Sequence, residues 1–334
     1  MKTAVIGAGA WGTALAMQLC KNGQETALWF RDPEKAEKAR KLGENPRLKG
    51  VHLPENLSLT ADPQCVRGCR LVVIAAPSFP IRSVCRAVAP YLGKDAILVS
   101  VTKGIEQGSL LRMSQVVAQE CDRPVVALSG PCHAEEVAVG VPTGCLAACE
   151  DRALAEFVQD AFMSDSFRVY TSPDAVGAEL GGALKNVIAL CAGVVTGLGY
   201  GDNTKAMLMT RGIAEMSRLG VLLGGREETF AGLSGVGDLI VTCISQHSRN
   251  RRAGLLIGGG MPVQEALKEV GMVVEGYYAT QAVHALTLSL GADMPICQAM
   301  YDVLIREQPL DRVIPGLFQR ALRTEHDGHD AEWK

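Results

Sequence analysis

Aromatic residues are scarce: Phe, Trp and Tyr together make up 5% of the 334-residue chain, which leaves Ala, Val, Ile, Leu and Met to fill its cores. Charge is nearly balanced, with Lys+Arg 33 against Asp+Glu 36 and a net charge of −3, so the broad basic surface of a general nucleic-acid binder is missing. The 11 cysteines contain no Cys-x-x-Cys pair; the closest, Cys65/Cys69 and Cys145/Cys149, are four apart. The histidines are scattered at His52, His133, His247, His284, His326 and His329, so no zinc spacing arises and no metal site is expected. The cysteines read instead as small buried hydrophobes of a reducing cytosol, which predicts a cytoplasmic protein. Long apolar runs are lacking too. Beyond the N-terminal stretch, the uncharged runs Asn186–Gly201 and Val137–Cys149 fall below the ~18 apolar residues of a spanning helix, so no membrane span is expected. Lys2 and the apolar stretch Thr3–Met17 imitate a secretory leader, but the glycines at 7, 9 and 12 would spoil its helix.

Apolar side chains and glycine are what the chain has in plenty. AVILMFWYC make up 48% and charged residues 21%, enough to exclude disorder, and the length suits two domains of ordinary size. The 36 glycines are about 11% of the chain, against a usual ~7%. No collagen period, Ser/Gly linker or internal repeat accounts for them. Glycine then belongs where backbone turns with positive φ or comes close to something else.

Short apolar runs alternate with helical stretches over the first ~170 residues, the pattern of a doubly wound βαβ unit. Strands are predicted at Thr3–Ile6, Thr26–Phe30, Leu71–Ala76, Ala96–Val101, Val125–Ser129, Gly144–Ala148 and Arg168–Thr171. Several are solid apolar runs, as expected of parallel strands covered on both faces. Helices are predicted at Trp11–Asn22, Pro33–Leu42, Ile81–Tyr91 and Leu110–Glu120. After Ser172-Pro173-Asp174 nothing reads as a strand. Asp174 is a good N-cap for a helix running to about Val195. The fold class is therefore α/β, a Rossmann-like domain over 1–174 followed by an all-helical domain over 175–334, with a polar, frayed tail at 324–334.

The stretch Gly7-Ala8-Gly9-Ala10-Trp11-Gly12 places G-x-G-x-x-G directly after a strand and before a helix. Gly7 permits the tight turn, Gly9 lets backbone approach a pyrophosphate, Gly12 allows close packing, and the helix N-terminus offers free N–H groups to the anion. Arg31 and Asp32 follow the second strand. Asp32 before Pro33 reads as a helix N-cap, which leaves Arg31 to face the adenosine and makes NADP, as well as NAD, acceptable. Lys103 follows the strand Ala96–Val101 at a carboxyl end where such sheets bind ligands, and it is either a ligand contact or an exposed loop lysine. Gly130 has the same position after the next strand and can expose backbone N–H groups.

Lys185 is the only charged residue between Glu179 and Asp202. Lysine is rare in such runs, and a desolvated amine with a lowered pKa can serve as a general base near neutral pH; a structurally paired lysine is the alternative. Gly181, Gly182, Ala189 and Gly193 share its helix face, leaving room for another molecule above the amine. Asn186 beside it can orient the reacting group. Asp238, after Gly235-Val236-Gly237, is either a helix N-cap or a ligand contact. Ser248-Arg249-Asn250-Arg251-Arg252 is the dense basic cluster, and at a helix start it makes either a phosphate cradle or a solvated turn. No aromatic stacking platform accompanies it, so nucleic acid is not expected there.

These blocks together resemble the bacterial-type NAD(P)-dependent sn-glycerol-3-phosphate dehydrogenases. The resemblance runs to about residue 320 through GAGAWGTALA (7–16), LWFRDP (28–33), TKGIE (102–106), SGPCHAEEVAVGVPT (129–143), GGALKNVIAL (181–190), TRGIAEMSRLG (210–220), GLSGVGDLIVTC (232–243), SRNRR (248–252) and VVEGY (273–277). It implies interconversion of sn-glycerol 3-phosphate and dihydroxyacetone phosphate for phospholipid synthesis, with NAD or NADP as cofactor, and a homodimer. It also implies that Lys185 is the proton acceptor and that Lys103 touches both cofactor and substrate. Cofactor contacts are implied for Gly7, Gly9, Ala10, Trp11, Gly12, Arg31, Ala134, Arg249, Val273 and Glu275. Substrate contacts are implied for Gly130, Cys132, Asp238, Ser248, Arg249 and Asn250, with Asp238 and Lys103 tuning Lys185. The chain departs from the family at Cys132, where Thr or Ser is usual, at His133 for Phe, at Glu136 for Lys and at Ala10 for Ser. The hydroxyl lost at 132 leaves its backbone N–H as the contact.

Two other readings fit the residues alone. A related dehydrogenase acting on a 3-hydroxy acid would use the basic cluster for a carboxylate, and a nucleotide sensor would bind cofactor without chemistry. On the reading favoured, most excess glycine clears backbone for ligands: Gly7, Gly9 and Gly12, Gly104 and Gly130, Gly181, Gly182 and Gly193, and Gly235 and Gly237. Gly258–Gly260 read as a helix stop and turn.

Overall fold

Eight strands form one sheet: β1 (Lys2–Ile6), β2 (Glu25–Trp29), β3 (Leu57–Thr60), β4 (Leu71–Ile74), β5 (Ile97–Ser100), β6 (Val125–Ser129), β7 (Thr143–Ala148) and β8 (Phe167–Ser172). The computed structural model describes residues 1–320 and Glu325, so the tail predicted at 324–334 otherwise lies outside the described residues. The strand order is β3-β2-β1-β4-β5-β6-β7-β8, and each neighbouring pair is parallel except β6 and β7. Strand side chains alternate between two cores. On β1, Val5 joins the core on one face of the sheet while Ala4 and Ile6 join the other, and β4 divides in the same way between Leu71 and Val73 and their neighbours Val72 and Ile74. With both faces covered, solid apolar runs are the pattern such strands require.

Helices fill the crossovers: α1 (Ala10–Lys21), α2 (Pro33–Leu42), α3 (Ile81–Val88), α4 (Met113–Cys121), α5 (Ala134–Ala138) and α6 (Arg152–Phe162). The sheet differs from the expected one in two places. Strand β3, Leu-Ser-Leu-Thr at the edge, is too short and too polar to stand out as an apolar run. Strand β7 returns antiparallel, because the segment between β6 and β7 carries only the five-residue α5 and lacks a helix long enough to recross the sheet. The prediction also omitted α5 and α6.

The chain then turns helical: α7 (Ala175–Gly197), α8 (Asp202–Leu222), α9 (Glu227–Phe230), α10 (Asp238–Ile244), α11 (Arg249–Gly258), α12 (Val263–Val270), α13 (Glu275–Leu290), α14 (Pro295–Leu304) and α15 (Leu310–Phe318). Asp174 opens α7 by accepting the Gly177 N–H at 2.8 Å. By length and composition α7 is apolar enough to cross a membrane, but 89% of its apolar window is buried inside the fold. It is the axis around which the other helices pack. A large aliphatic side chain buried there, such as Leu184 or Ile188, contributes about 1.5–3 kcal/mol.

Candidate active site

Loops at the carboxyl ends of β1, β2, β4, β5 and β6 face the helical part of the chain, the place where open α/β sheets bind ligands. Gly7 lies at φ 120°, and a Cβ on it would sit 2.7 Å from the Ala75 carbonyl oxygen. A Cβ on Gly12 would fall 2.0 Å from the Gly7 carbonyl oxygen, so β1 and α1 meet through bare backbone. Gly9 differs, because nothing lies within 4 Å of its would-be Cβ. It is also the N-cap of α1, with no side-chain cap and no acidic residue in the first turn. The first turn of α1 is thus left uncapped with space beside Gly9, the arrangement a pyrophosphate needs. Asn45 fastens this loop by donating to Ala8 O at 3.1 Å and Thr13 Oγ1 at 2.7 Å. The Trp11 indole N–H is buried without a partner, its ring against Phe167.

Asp32 caps α2 through the Glu34 N–H, and Arg31 is exposed with no hydrogen bond or ion pair among the described residues. These features fit a dinucleotide: an anion site at α1 and a free guanidinium where the adenosine ribose would end.

The polar centre lies between the two parts of the chain. Lys103, just beyond β5, donates to Asp238 Oδ2 at 2.7 Å and to Gly130 O at 2.8 Å. Lys185, near the middle of α7, donates to the other carboxylate oxygen, Oδ1, at 2.7 Å and to Thr242 Oγ1 at 2.6 Å. Asp238 is 1% exposed and thus holds two ammonium groups, one from each part of the chain. It does not cap α10; the five-residue π-helical turn Leu233–Gly237 delivers it to the lysines instead. Thr242, which sequence reasoning missed, is four residues after Asp238 on the same helix face, and that spacing was the available signal.

Burial disfavours the charge on Lys185 and pulls its pKa down to about 8, with Asp238 opposing and Lys103 assisting the shift. Burial acts on Lys103 as well, but Asp238 and Cys132 outweigh it and its pKa rises. Asp238 is held below the usual carboxylate range because the two lysines overcome its burial. The site thus contains one firmly cationic lysine and one whose proton is exchangeable near neutral pH.

Asn186 and Asn250 tie this centre to α11 and α13. Asn250 donates to Asn186 Oδ1 at 2.9 Å and accepts the Gly276 N–H at 2.9 Å, while Asn186 donates to Gly182 O at 3.2 Å. Ser248 caps α11 by accepting the Arg251 N–H at 3.2 Å and is itself buried. Arg249 makes no hydrogen bond or ion pair among the described residues; Glu275, Glu135 and Arg47 are the charges around it. Arg252 turns away to Glu269, so the basic cluster is not one continuous cradle.

Glu275 spends both carboxylate oxygens on Ser78, accepting its N–H at 3.0 Å and its hydroxyl at 2.5 Å. This clasp joins the start of α13 to the loop after β4, and sequence reasoning had no signal for it. Val273 is half-buried two residues upstream of Glu275. Ala134 is the first residue of α5 and buried; His133 precedes it, with its ring near that of His247 and its Nε2 buried without a partner.

Several glycines do other work than expected. A Cβ on Gly181 would reach 2.4 Å from Ser234 O and one on Gly193 2.2 Å from Arg251 O, and Gly182 packs on Ser129 and Lys103. They admit neighbouring protein, so the room expected around the Lys185 stem is taken up by Ser234, Arg251, Ser129 and Lys103, and Lys185 is 6% exposed. Gly104 and Gly235 likewise pack against Ser78 and Phe230. The glycines of α7 meet those of α11: a Cβ on Gly254 would stand 2.0 Å from Leu190 O, and one on Gly258 2.2 Å from Val194 O.

Two family descriptions match the chain: NAD-dependent glycerol-3-phosphate dehydrogenase N-terminus over residues 2–155 and the C-terminus of the same enzyme over residues 174–315. A relative named glycerol-3-phosphate dehydrogenase [NAD(P)+] from Moorella thermoacetica is 51% identical over 332 residues, 99% of this chain and 98% of its own. The crystal structure of glycerol-3-phosphate dehydrogenase from Coxiella burnetii superposes with a TM-score of 0.92 at 35% identity, covering 96% of this chain and 99% of that one. The yeast glycerol-3-phosphate dehydrogenase structure, from Saccharomyces cerevisiae, gives 0.81 at 27% identity, covering 96% and 99%.

Proposed function

The chain belongs to the NAD-dependent glycerol-3-phosphate dehydrogenase family, and from that premise we propose how its residues divide the work. The activity is the NAD(P)-dependent interconversion of sn-glycerol 3-phosphate and dihydroxyacetone phosphate, which supplies glycerol 3-phosphate for glycerophospholipid synthesis. When bound, NAD or NADP supplies or accepts the hydride. Residues 1–174 hold the dinucleotide and residues 175–334 contribute the substrate side.

The observation that carries the assignment is the sharing of Asp238 by two lysines of opposite pKa tendency. Lys185 moves the proton at the C2 oxygen, giving it in the reduction and taking it in the oxidation. Lys103 keeps its charge, steadies the oxygen and contacts both cofactor and substrate. Asp238 positions both amines, and Thr242 fixes the approach of Lys185. The substrate phosphate is held by Ser248, Arg249 and Asn250, with Gly130 and the Cys132 backbone closing the other side. The dinucleotide lies along Gly7, Gly9, Ala10, Trp11 and Gly12, with Arg31 at its adenosine end and Ala134, Arg249, Val273 and Glu275 around its other half. A carboxylate substrate or a mute sensor, both open from residues alone, is disfavoured by this family and this triad.

We also place the protein in the cytoplasm, a reducing compartment that suits 11 free cysteines, and propose a homodimer. Lys185→Ala tests the central role. Turnover of dihydroxyacetone phosphate with NADPH is expected to be lost while NADPH binding, followed by fluorescence, survives. Near-normal turnover overturns the assignment.

A further inference from the structure

Cys132 stands where the family resemblance implies Thr or Ser, and Cys145 lies in the core it packs against. Continuing the antiparallel register Ser129↔Leu146 by one residue sets Gly130 opposite Cys145. The closeness is real: a Cβ on Gly130 would lie 3.1 Å from the Cys145 Cα. Cys132 folds back over that point and donates to Gly130 O at 3.0 Å, with its sulfur 3.7 Å from Lys103 Nζ. Cys132 packs against the core that holds the Cys145 side chain, and each thiol shifts the pKa of the other. Cys145 is fully buried on β7, while Cys132 is partly open on the cleft side. Elsewhere Cys85 and Cys121 also shift each other's pKa, but both are buried.

We infer that Cys132 and Cys145 are a redox pair: a hydroperoxide converts them to a disulfide that reversibly switches off the Lys103 side of the active site. The Cys132 thiolate attacks a peroxide oxygen; the O–O bond breaks, sulfur is oxidised to the sulfenic acid, and the hydroxide released leaves as water with the thiol's proton. The Cys145 thiol then attacks that sulfur, the S–O bond breaks, the S–S bond forms, and a second water leaves. Two thiols and one hydrogen peroxide give one disulfide and two waters, the two electrons passing from sulfur to oxygen.

The surroundings favour the first step. The neighbouring Cys145 thiol draws the Cys132 pKa down against its burial, and the Lys103 ammonium adds to the effect, which favours the nucleophilic thiolate. Bridging to Cys145 pulls the sulfur off Gly130 O and away from Lys103, dragging the loop that carries the Gly130 and Cys132 substrate contacts. A displacement of about 1 Å at such a site costs on the order of 100-fold in rate. The loss of turnover rests on the role proposed for Lys103 and this loop, whereas formation of the bond does not.

The test treats the purified enzyme with hydrogen peroxide, blocks remaining thiols by alkylation, and maps peptides by mass spectrometry alongside the assay. A peptide pair joined at Cys132 and Cys145 is expected, with roughly 100-fold loss of turnover restored by dithiothreitol. In Cys145→Ala and Cys145→Ser, made together so that a misfolded variant does not end the test, oxidation should continue to sulfinic acid at Cys132 and dithiothreitol should no longer rescue. Recovery of both cysteines singly alkylated from inactivated enzyme overturns the pair. A quantitative Cys132–Cys145 bond with unchanged turnover overturns the switch. Failure of the catalytic reading would show separately, as retained turnover in Lys185→Ala.

Discussion

Lys185 is the residue whose surroundings most directly dictate a measurable behaviour. With its pKa near 8, the ammonium form that gives up a proton in the reduction is lost as pH rises through that value. kcat/KM for dihydroxyacetone phosphate is therefore expected to fall above about pH 8, and kcat/KM for glycerol 3-phosphate to fall below it, since the oxidation needs the neutral amine. Asp238 raises the Lys185 pKa, so Asp238→Asn should move both limbs to lower pH as well as slow turnover. Profiles that stay in place would show that Lys185 is not the titrating group. Arg31 supplies a second test at this scale. Its guanidinium is unengaged, and a charge-assisted hydrogen bond is worth about 1.5–3 kcal/mol, so Arg31→Ala should weaken NADPH by roughly 10–100-fold and NADH much less. Equal losses would remove the 2′-phosphate from the account.

At the scale of elements, glycine carries two distinct duties that composition alone cannot separate. In the turn from β1 to α1, Gly12 is glycine because backbone crowds it, whereas Gly9 has open space and an ordinary φ of −75°. Gly12→Ala is therefore expected to destabilise the fold by about 1–3 kcal/mol or more through overpacking. Gly9→Ala should leave thermal unfolding nearly unchanged while weakening dinucleotide binding, which calorimetry can follow. An equal drop in melting temperature for both variants would refute this division. The motif was readable because its spacing is local. The glycines of α7 were misread, because their partners Ser234, Arg251 and Leu255 lie dozens of residues away in the chain.

For the molecule as a whole, the two halves of the chain meet where each supplies one lysine to a single carboxylate. The Glu275–Ser78 clasp holds α13 to the nucleotide side beside Arg249, so the proposed cofactor contacts sit at the seam. The helical half leaves large apolar side chains in solvent, among them Ile244 at 62% and Leu288 at 70% exposure. The homodimer proposed above would cover some of this surface. Light scattering on a sizing column should accordingly give twice 35.5 kDa, and a monomer mass would overturn the homodimer.

The mostly parallel sheet, the helical second half, the glycine-rich turn from β1 to α1 and the isolation of Lys185 in an apolar helix were all legible along the chain. Each is a matter of period or short spacing, which local backbone geometry enforces whatever lies further along the chain. Packing alone settled that Asp238 is shared by Lys103 and Lys185, that Thr242 meets Lys185, that Ser78 takes Glu275, that β7 runs backwards, and that Gly130 lies against Cys145. Those outcomes depend on which distant side chains the packing brings within 3–4 Å, where burial makes an ion pair or a thiol contact strong, and no spacing along the chain records that encounter.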